Sequence, residues 1–134
     1  MAFVSVYLGL GSNQGNRLQN LTQALGLLDA AFGCHYTALS RVIETKAWGF
    51  KGDKFLNACV LYRIFKKGTP EEHGYEILAV CKDIERRLGR NDAPEYDADG
   101  RRVYHNRAID IDILFYGSER IDTEDLQVPH PLIS

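Results

Sequence analysis

The sequence predicts an α+β fold, and three observations support this prediction. Four segments, near residues 3–10, 36–44, 55–65 and 107–116, carry the β-branched and aromatic residues or the alternating pattern of strands. Two other segments have apolar residues spaced by three and four positions, which is the pattern of amphipathic helices. The 134 residues, 45% of them apolar and 25% charged, are enough for one globular domain with its own core.

The first strand leads into the first helix through a glycine-rich segment. Gly11-Ser12-Asn13 follows the strand at 3–10, and Asn16 is a suitable N-cap for a helix that ends at Gly33. The segment from Gly9 to Gly15 fits neither common phosphate-binding glycine pattern, so a tight strand-to-helix turn is predicted there. The apolar positions of the helix are Leu18, Leu21, Leu25, Leu28 and Phe32.

The second helix has a strong start signal. Thr69 can cap it, Pro70 suits its first turn, and Glu72 completes a capping box. Gly89 is a suitable stop, and the apolar positions are Ile77, Cys81, Ile84 and Leu88. The strand before this helix alternates, with one face formed by Leu56, Ala58, Val60, Tyr62 and Ile64.

Residues 90–106 are polar, contain Pro94 and Gly100, and show no hydrophobic period. They predict a long loop, which in a compact domain is more often a lid or binding loop than filler. A strand from Arg107 to Tyr116 and a turn-rich segment follow. The resulting order βαββαβ predicts a ferredoxin-like sandwich, an antiparallel sheet with both helices on one face and the other face left for a site.

Charge and cysteine content narrow the functional classes. A net charge of −2 argues against nucleic acid or an anionic membrane as a partner. No apolar run approaches the roughly 18 residues that a membrane helix needs. The three cysteines include no CxxC pair, which predicts a reducing cytoplasm rather than a disulfide framework.

The strand at 107–116 contains the strongest chemical signal. Alternation places Asp110 and Asp112 together on the face without helices, and Ile109, Ile111, Ile113 and Phe115 on the other. Two adjacent carboxylates suit Mg²⁺ with bound phosphates, although a solvated polar face would look the same. Six arginines near them could hold those phosphates or simply complement a helix end: Arg86, Arg87, Arg90, Arg101, Arg102 and Arg107.

Two further constellations leave alternatives open. A zinc site from His105, His130 and the two aspartates is conceivable, but no histidine or cysteine pair has ligand spacing. Trp48, Phe50 and Phe55 lie near Asn57, where aromatic rings and an amide could stack on and hydrogen-bond a flat heterocycle. Aromatic residues at strand positions also commonly belong to the core.

Six motifs in a fixed order resemble those of the 6-hydroxymethyl-7,8-dihydropterin pyrophosphokinases of folate biosynthesis. The likeness spans nearly the whole chain. The Arg-x-x-Asp-x-Asp motif in combination with the Phe-Leu-Asn-Ala and Pro-His-Pro motifs is highly specific for this family. The motifs are Gly11-Ser-Asn, Glu44-Thr45-Lys-Ala-Trp48-Gly49, Phe55-Leu-Asn57-Ala, Glu85-Arg-Arg-Leu-Gly89-Arg90, Arg107-Ala-Ile-Asp110-Ile-Asp112 and Val128-Pro129-His130-Pro131.

This resemblance implies transfer of pyrophosphate from ATP to the pterin hydroxymethyl group, with release of AMP. It implies that Asp110 and Asp112 hold two Mg²⁺ ions and act in catalysis together with Arg90 and Arg107. The ATP contacts that it implies are Glu85, Arg90, Arg107, His130 and the backbone near Ile113. The pterin contacts are Thr45, Trp48, Phe55 and Asn57, and Tyr104 takes the place of a family aromatic residue.

The chain departs from the family pattern in two places. Asp92 stands where the family has a second loop arginine, so Arg101 or Arg102 is the candidate replacement. Residues 1–134 are expected to form one pyrophosphokinase domain, a monomer or weak dimer, without the family's C-terminal arginine and second aromatic residue. An ordinary kinase or phosphohydrolase would release ADP rather than AMP, and a ferredoxin-like RNA-binding module would not favour an acidic pair on its sheet face.

Overall fold

The computed structural model describes residues 2–46, 54–89, 95–96, 98–100, 102–103 and 108–131. Within these ranges the protein has an α+β fold, as predicted. The helices are α1 (Arg17–Phe32) and α2 (Pro70–Arg87), and neither is long and apolar enough to cross a membrane. The strands are β1 (Phe3–Ser12), β2 (Ala38–Leu39), β3 (Ile43–Thr45), β4 (Phe55–Phe65), β5 (Glu95–Tyr96), β6 (Arg102–Val103), β7 (Asp110–Tyr116), β8 (Ile121–Asp122) and β9 (Gln127–Val128).

The main sheet is antiparallel, with strand order β2-β4-β1-β7 and with β3 also paired to β4. The single strand predicted near 36–44 is therefore two short strands. The predicted loop at 90–106 is corrected in part, because β5 and β6 pair within it. The turn-rich segment after β7 contains a second small hairpin, β8–β9.

The core lies on one face of this sheet. Even-numbered residues of β1 and β4, such as Val6, Leu8, Val60 and Tyr62, are buried in one cluster with residues of both helices. The helix residues in that cluster are Leu21, Ala24, Leu28, Ile77, Cys81 and Ile84. We call the opposite face, which carries the odd-numbered residues Phe3 to Gly11 of β1, the outer face.

Both predicted helix starts are confirmed. Asn16 Oδ1 accepts a hydrogen bond from Gln19 N at 3.1 Å, and the capping box between Thr69 and Glu72 is complete. The predicted apolar stripe of α1 is wrong at one position, since Leu18 is 57% exposed. Leu18 lies in the first turn, and the buried stripe begins one turn later at Leu21.

A β-bulge in β7 corrects the predicted position of Phe115. Leu8 pairs with Ile113 and Tyr7 pairs with Phe115, so Leu114 is an extra residue in β7. The extra residue reverses the alternation, and Tyr116 is buried in place of Phe115. The Phe115 ring meets that of Tyr7 on the outer face, with centroids 5.8 Å apart and planes at 82°.

Helix α2 approaches the β8–β9 hairpin closely at Gly74. A Cβ atom at this position would lie 2.9 Å from Leu126 Cδ2 and 3.0 Å from Ile121 Cδ1. We expect Gly74→Ala to lower the free energy of unfolding by about 1–3 kcal/mol relative to a matched helical Gly→Ala change. Gly26→Ala in α1 is that control, because nothing lies within 4 Å of its new methyl group. Denaturant unfolding of both variants and of the wild type measures the difference. Equal changes in the free energy of unfolding for the two variants would contradict the close packing at Gly74.

His73 should make stability fall in mild acid. Its buried ring pairs Nδ1 with the Tyr116 hydroxyl at 2.7 Å, and burial lowers the pKa of His73 below 6.5. A histidine whose pKa is lowered by folding stabilises the protein above about pH 6.5, and this contribution is lost as pH falls through the folded-state pKa. Denaturant unfolding between pH 7.5 and 5 should show the decrease, and His73→Gln should reduce it. An identical pH profile in the variant would refute this assignment.

Candidate active site

The outer face of β7 carries the two aspartates. Asp110 pairs with Gly11 of β1 and Asp112 pairs with Gly9, and both carboxylates are partly exposed. The isoleucines at 109, 111 and 113 are buried on the other face. The predicted alternation is confirmed in this part of the strand, and it leaves two carboxylates on one rigid surface.

Glycines separate the aspartates from the next strand. On the outer face, Gly11 lies between Asp110 of β7 and Asn57 of β4, and Gly9 lies between Asp112 and Cys59. Since neighbouring strands are about 4.8 Å apart, the main chains of Asp110 and Asn57 are roughly 10 Å apart. The strand predicted at 3–10 is thus confirmed and extends to Ser12, and the predicted turn is wrong for Gly11 and Ser12.

Neighbouring side chains close over Gly11 because it has no side chain. A Cβ atom there would lie 3.1 Å from Asn57 Oδ1 and 3.3 Å from Phe55 Cδ1. Sequence reasoning missed this role, although glycines at alternate positions of a strand were a usable signal for a close approach. The geometry brings an aromatic ring and an amide oxygen directly over the strand beside the aspartates.

Thr45 joins this group from β3. Asn57 Nδ2 donates a hydrogen bond to Thr45 Oγ1 at 2.6 Å, while the pairing of Thr45 with Phe55 closes the β3–β4 ladder. Three of the four predicted pterin residues are therefore adjacent: Thr45, Phe55 and Asn57. Trp48, the fourth, lies outside the described residues.

His130 reaches β7 from the C-terminal side. Its main-chain N donates to the carbonyl of Leu114, the bulge residue, at 3.1 Å. Its ring Nε2 lies 3.8 Å from Asp112 Oδ1, which is an ion-pair distance when the imidazole is protonated and too long for a strong hydrogen bond. The structure thus brings His130 close to Asp112, and its contact with ATP stays a prediction.

Glu85 holds the aspartate strand from the core side. Its fully buried carboxylate accepts a hydrogen bond from Ile111 N at 2.8 Å, and Lys82 Nζ lies 3.6 Å from its other oxygen. In the described part of the chain, Glu85 thus positions the main chain between Asp110 and Asp112. The ATP contact that the family resemblance implies for Glu85 stays a prediction.

Cys59 lies on the outer face beside these groups, and its main-chain N donates to Ser40 Oγ at 2.8 Å. Burial raises the pKa of the Cys59 thiol above its ordinary value of 9.0. The thiol is therefore protonated at neutral pH and is a poor nucleophile. This site offers carboxylate, amide and hydroxyl groups rather than a thiolate.

The donor set fits a hard divalent cation. Magnesium is commonly held by one or two carboxylates and completes its coordination with water and phosphate oxygens, which two carboxylates on an accessible strand allow. In the described part of the chain, no group of three or more His, Cys, Asp or Glu residues could hold a metal, so the conceived zinc set gains no support there. His105 of that set, and Arg90, Arg107, Arg101 and Tyr104, lie outside the described residues.

Comparisons with known proteins point to one family. A family model described as 7,8-dihydro-6-hydroxymethylpterin-pyrophosphokinase matches residues 7–134. A protein of Porphyromonas gingivalis named 2-amino-4-hydroxy-6-hydroxymethyldihydropteridine pyrophosphokinase is 41% identical over 128 residues, which cover 94% of this chain and 79% of that protein. A protein of the same name from Aquifex aeolicus is 36% identical, covering 96% and 71%. An Arabidopsis thaliana protein named folate synthesis bifunctional protein is also 36% identical, covering 98% of this chain and 24% of its own length.

Proposed function

The chain belongs to the 7,8-dihydro-6-hydroxymethylpterin-pyrophosphokinase family, and from that premise we propose how its residues carry out the reaction. The reaction transfers pyrophosphate from ATP to the hydroxymethyl group of 6-hydroxymethyl-7,8-dihydropterin and releases AMP. The hydroxymethyl oxygen attacks the β-phosphorus, the bond from that phosphorus to the phosphate oxygen of AMP breaks, and the hydroxyl proton is released to water. The observation that supports our assignment most strongly is the Gly11 strand, which has the aspartates on one side and Asn57 with Phe55 on the other.

The aspartate side is our proposed phosphate end of the site. Asp110 and Asp112 would hold two Mg²⁺ ions, whose positive charge would neutralise the triphosphate. His130 would add a donor for a phosphate oxygen, since Leu114 fixes its main chain beside Asp112. Arg90 and Arg107 stay predicted phosphate ligands and catalytic residues from the family resemblance.

The Asn57 side is our proposed pterin end. Phe55 would stack on the flat heterocycle, and Trp48 stays a predicted neighbour. The Asn57 amide and the Thr45 hydroxyl would hydrogen-bond the polar edge of the ring. Their mutual hydrogen bond fixes the Asn57 amide in one orientation before substrate binds, which lowers the entropy cost of binding.

We also propose that the helices and the main sheet have the ferredoxin-like arrangement. The order β2-β4-β1-β7 supports it. The first and third of the four strand segments predicted from the sequence, now β1 and β4, lie at the centre, and β2 and β7 lie on either side of them. We propose that this chain is a cytoplasmic monomer or weak dimer without nucleic-acid or membrane partners. Its net charge of −2 is consistent with this proposal.

Product analysis tests the proposed function. The chain is incubated with ATP, Mg²⁺ and 6-hydroxymethyl-7,8-dihydropterin, and the nucleotide products are separated. We expect AMP to form in equal amount to the pterin pyrophosphate, and none to form without pterin. Release of ADP would instead support an ordinary kinase or phosphohydrolase using the same carboxylates.

A further inference from the structure

Arg17 connects the two chain segments that carry the proposed pterin residues. Its Nη1 donates to Glu44 Oε2 at 3.0 Å and to the main-chain oxygen of Lys54 at 2.7 Å. Glu44 immediately precedes Thr45, and Lys54 immediately precedes Phe55. One guanidinium nitrogen therefore holds the residues next to both Thr45 and Phe55.

Strand β3 needs such a contact because packing does little to fix it. All three of its residues are exposed, and even the apolar Ile43 is 56% exposed. Among the described strands β3 pairs only with β4, through three residue pairs. With little apolar area buried, the position of β3 depends on this short ladder and on polar contacts.

Arg17 itself starts from a fixed point. It is the first residue of α1, directly after the N-cap Asn16. Asn20 Nδ2 ties the same turn to Gln14 O at 2.8 Å and to Ser12 Oγ at 3.2 Å. The hydrogen bonds of Arg17 therefore connect the start of α1 to the edge strand β3. Lys54 Nζ also lies 3.9 Å from the Glu44 carboxylate.

We propose that Arg17 is a positioning residue for pterin binding. By bridging Glu44 and Lys54, it holds Thr45 and Phe55 at the separation that the pterin ring requires. This inference rests on the proposed pterin site. It assigns Arg17 no part in ATP binding, because the two acceptors of Arg17 flank the pterin end of the site.

Arg17→Met tests the proposal, because methionine keeps an unbranched apolar stem and removes both hydrogen bonds. We expect the KM for pterin to rise by about tenfold, since an ion pair this exposed has a modest energy but misplaced binding groups cost more. The KM for ATP should stay within about twofold of the wild-type value, and Tm should change little. Amide exchange at residues 43–45 should become faster.

A double-mutant cycle with Glu44→Gln sharpens the test. If the bridge is what matters, Arg17→Met combined with Glu44→Gln should raise the pterin KM no further than Arg17→Met alone. Lys67→Met is the matched control, because it removes an ion pair of similar length, 3.1 Å to Glu76, at the opposite end of β4. The control should leave both KM values unchanged.

Two outcomes would overturn the inference. One is an unchanged pterin KM in Arg17→Met, and the other is an equal rise in both KM values together with a lower Tm, which would indicate a merely structural role. Calorimetric titration with the reduced pterin separates this failure from that of the proposed function. A wild-type chain that binds no pterin contradicts the proposed function and the inference with it, whereas equal binding by wild type and Arg17→Met contradicts the inference alone.

Discussion

Asp110→Ala and Asp112→Ala should each lower the rate of AMP formation by at least about a hundredfold, the scale for loss of a principal electrostatic stabiliser. Both carboxylates lie on the outer face, away from the isoleucine core, so their removal leaves no cavity. Folding should be retained, and stability without metal should be equal or slightly higher because repulsion between the two carboxylates is relieved. The measurements are kcat with saturating substrates and Tm with and without Mg²⁺.

Asp122→Ala is the matched control for this pair. It removes the same charge from an exposed position of β8, outside the main sheet, and should leave kcat unchanged. With ATP present, Mg²⁺ should raise the Tm of the wild type and of the control more than that of either active-site variant. Normal turnover by Asp110→Ala or Asp112→Ala in Mg²⁺ would show that these carboxylates are not metal ligands.

Local chemistry explains why much of the fold could be predicted from the sequence. Caps depend on residues three positions apart, so Asn16 and the Thr69–Glu72 pair identify both helix starts without any tertiary information. Strand alternation likewise depends only on period two, and it places Asp110 and Asp112 on one face as the structure does.

The errors arise where tertiary context decides. The bulge at Leu114 adds one residue to β7, and no periodicity in the strand marks where the alternation reverses before Phe115. The sequence predicts a turn at Gly11, whereas Gly11 lies within β1, where the missing side chains of Gly9 and Gly11 leave room for Phe55, Asn57 and Leu114. This close packing over the glycines depends on which strands lie beside β1, and strand order is a property of the whole sheet.

The site shows the same division. The sequence predicts the aspartate pair, Asn57 and His130 as candidate site residues. It does not predict that Gly11 lies between Asp110 and Asn57. The family resemblance implies an ATP contact for Glu85, but it does not reveal that this buried carboxylate also accepts a hydrogen bond from the main-chain N of Ile111.

Removing the aromatic ring of Phe55 should weaken pterin binding by about ten- to a hundredfold, since stacking of a flat heterocycle on one ring contributes roughly 1–3 kcal/mol. Phe55→Ala is the variant, and calorimetric titration with the reduced pterin gives the dissociation constant. The affinity for ATP with Mg²⁺ should be unchanged, because Phe55 lies on the Asn57 side of Gly11 rather than on the aspartate side.

Phe65→Ala provides the control for this stacking prediction, because the same strand carries both rings on its outer face. Phe65 ends β4, is 47% exposed, and stacks on Phe3 with ring centroids 4.2 Å apart. Its loss should leave pterin affinity unchanged while Phe55→Ala lowers it. Phe55→Trp should keep most of the affinity, because the flat indole ring can stack on the heterocycle whereas the alanine side chain cannot. If Phe55→Ala binds pterin as the wild type does, the heterocycle does not stack on this residue, and the pterin end of the site lies elsewhere on the outer face.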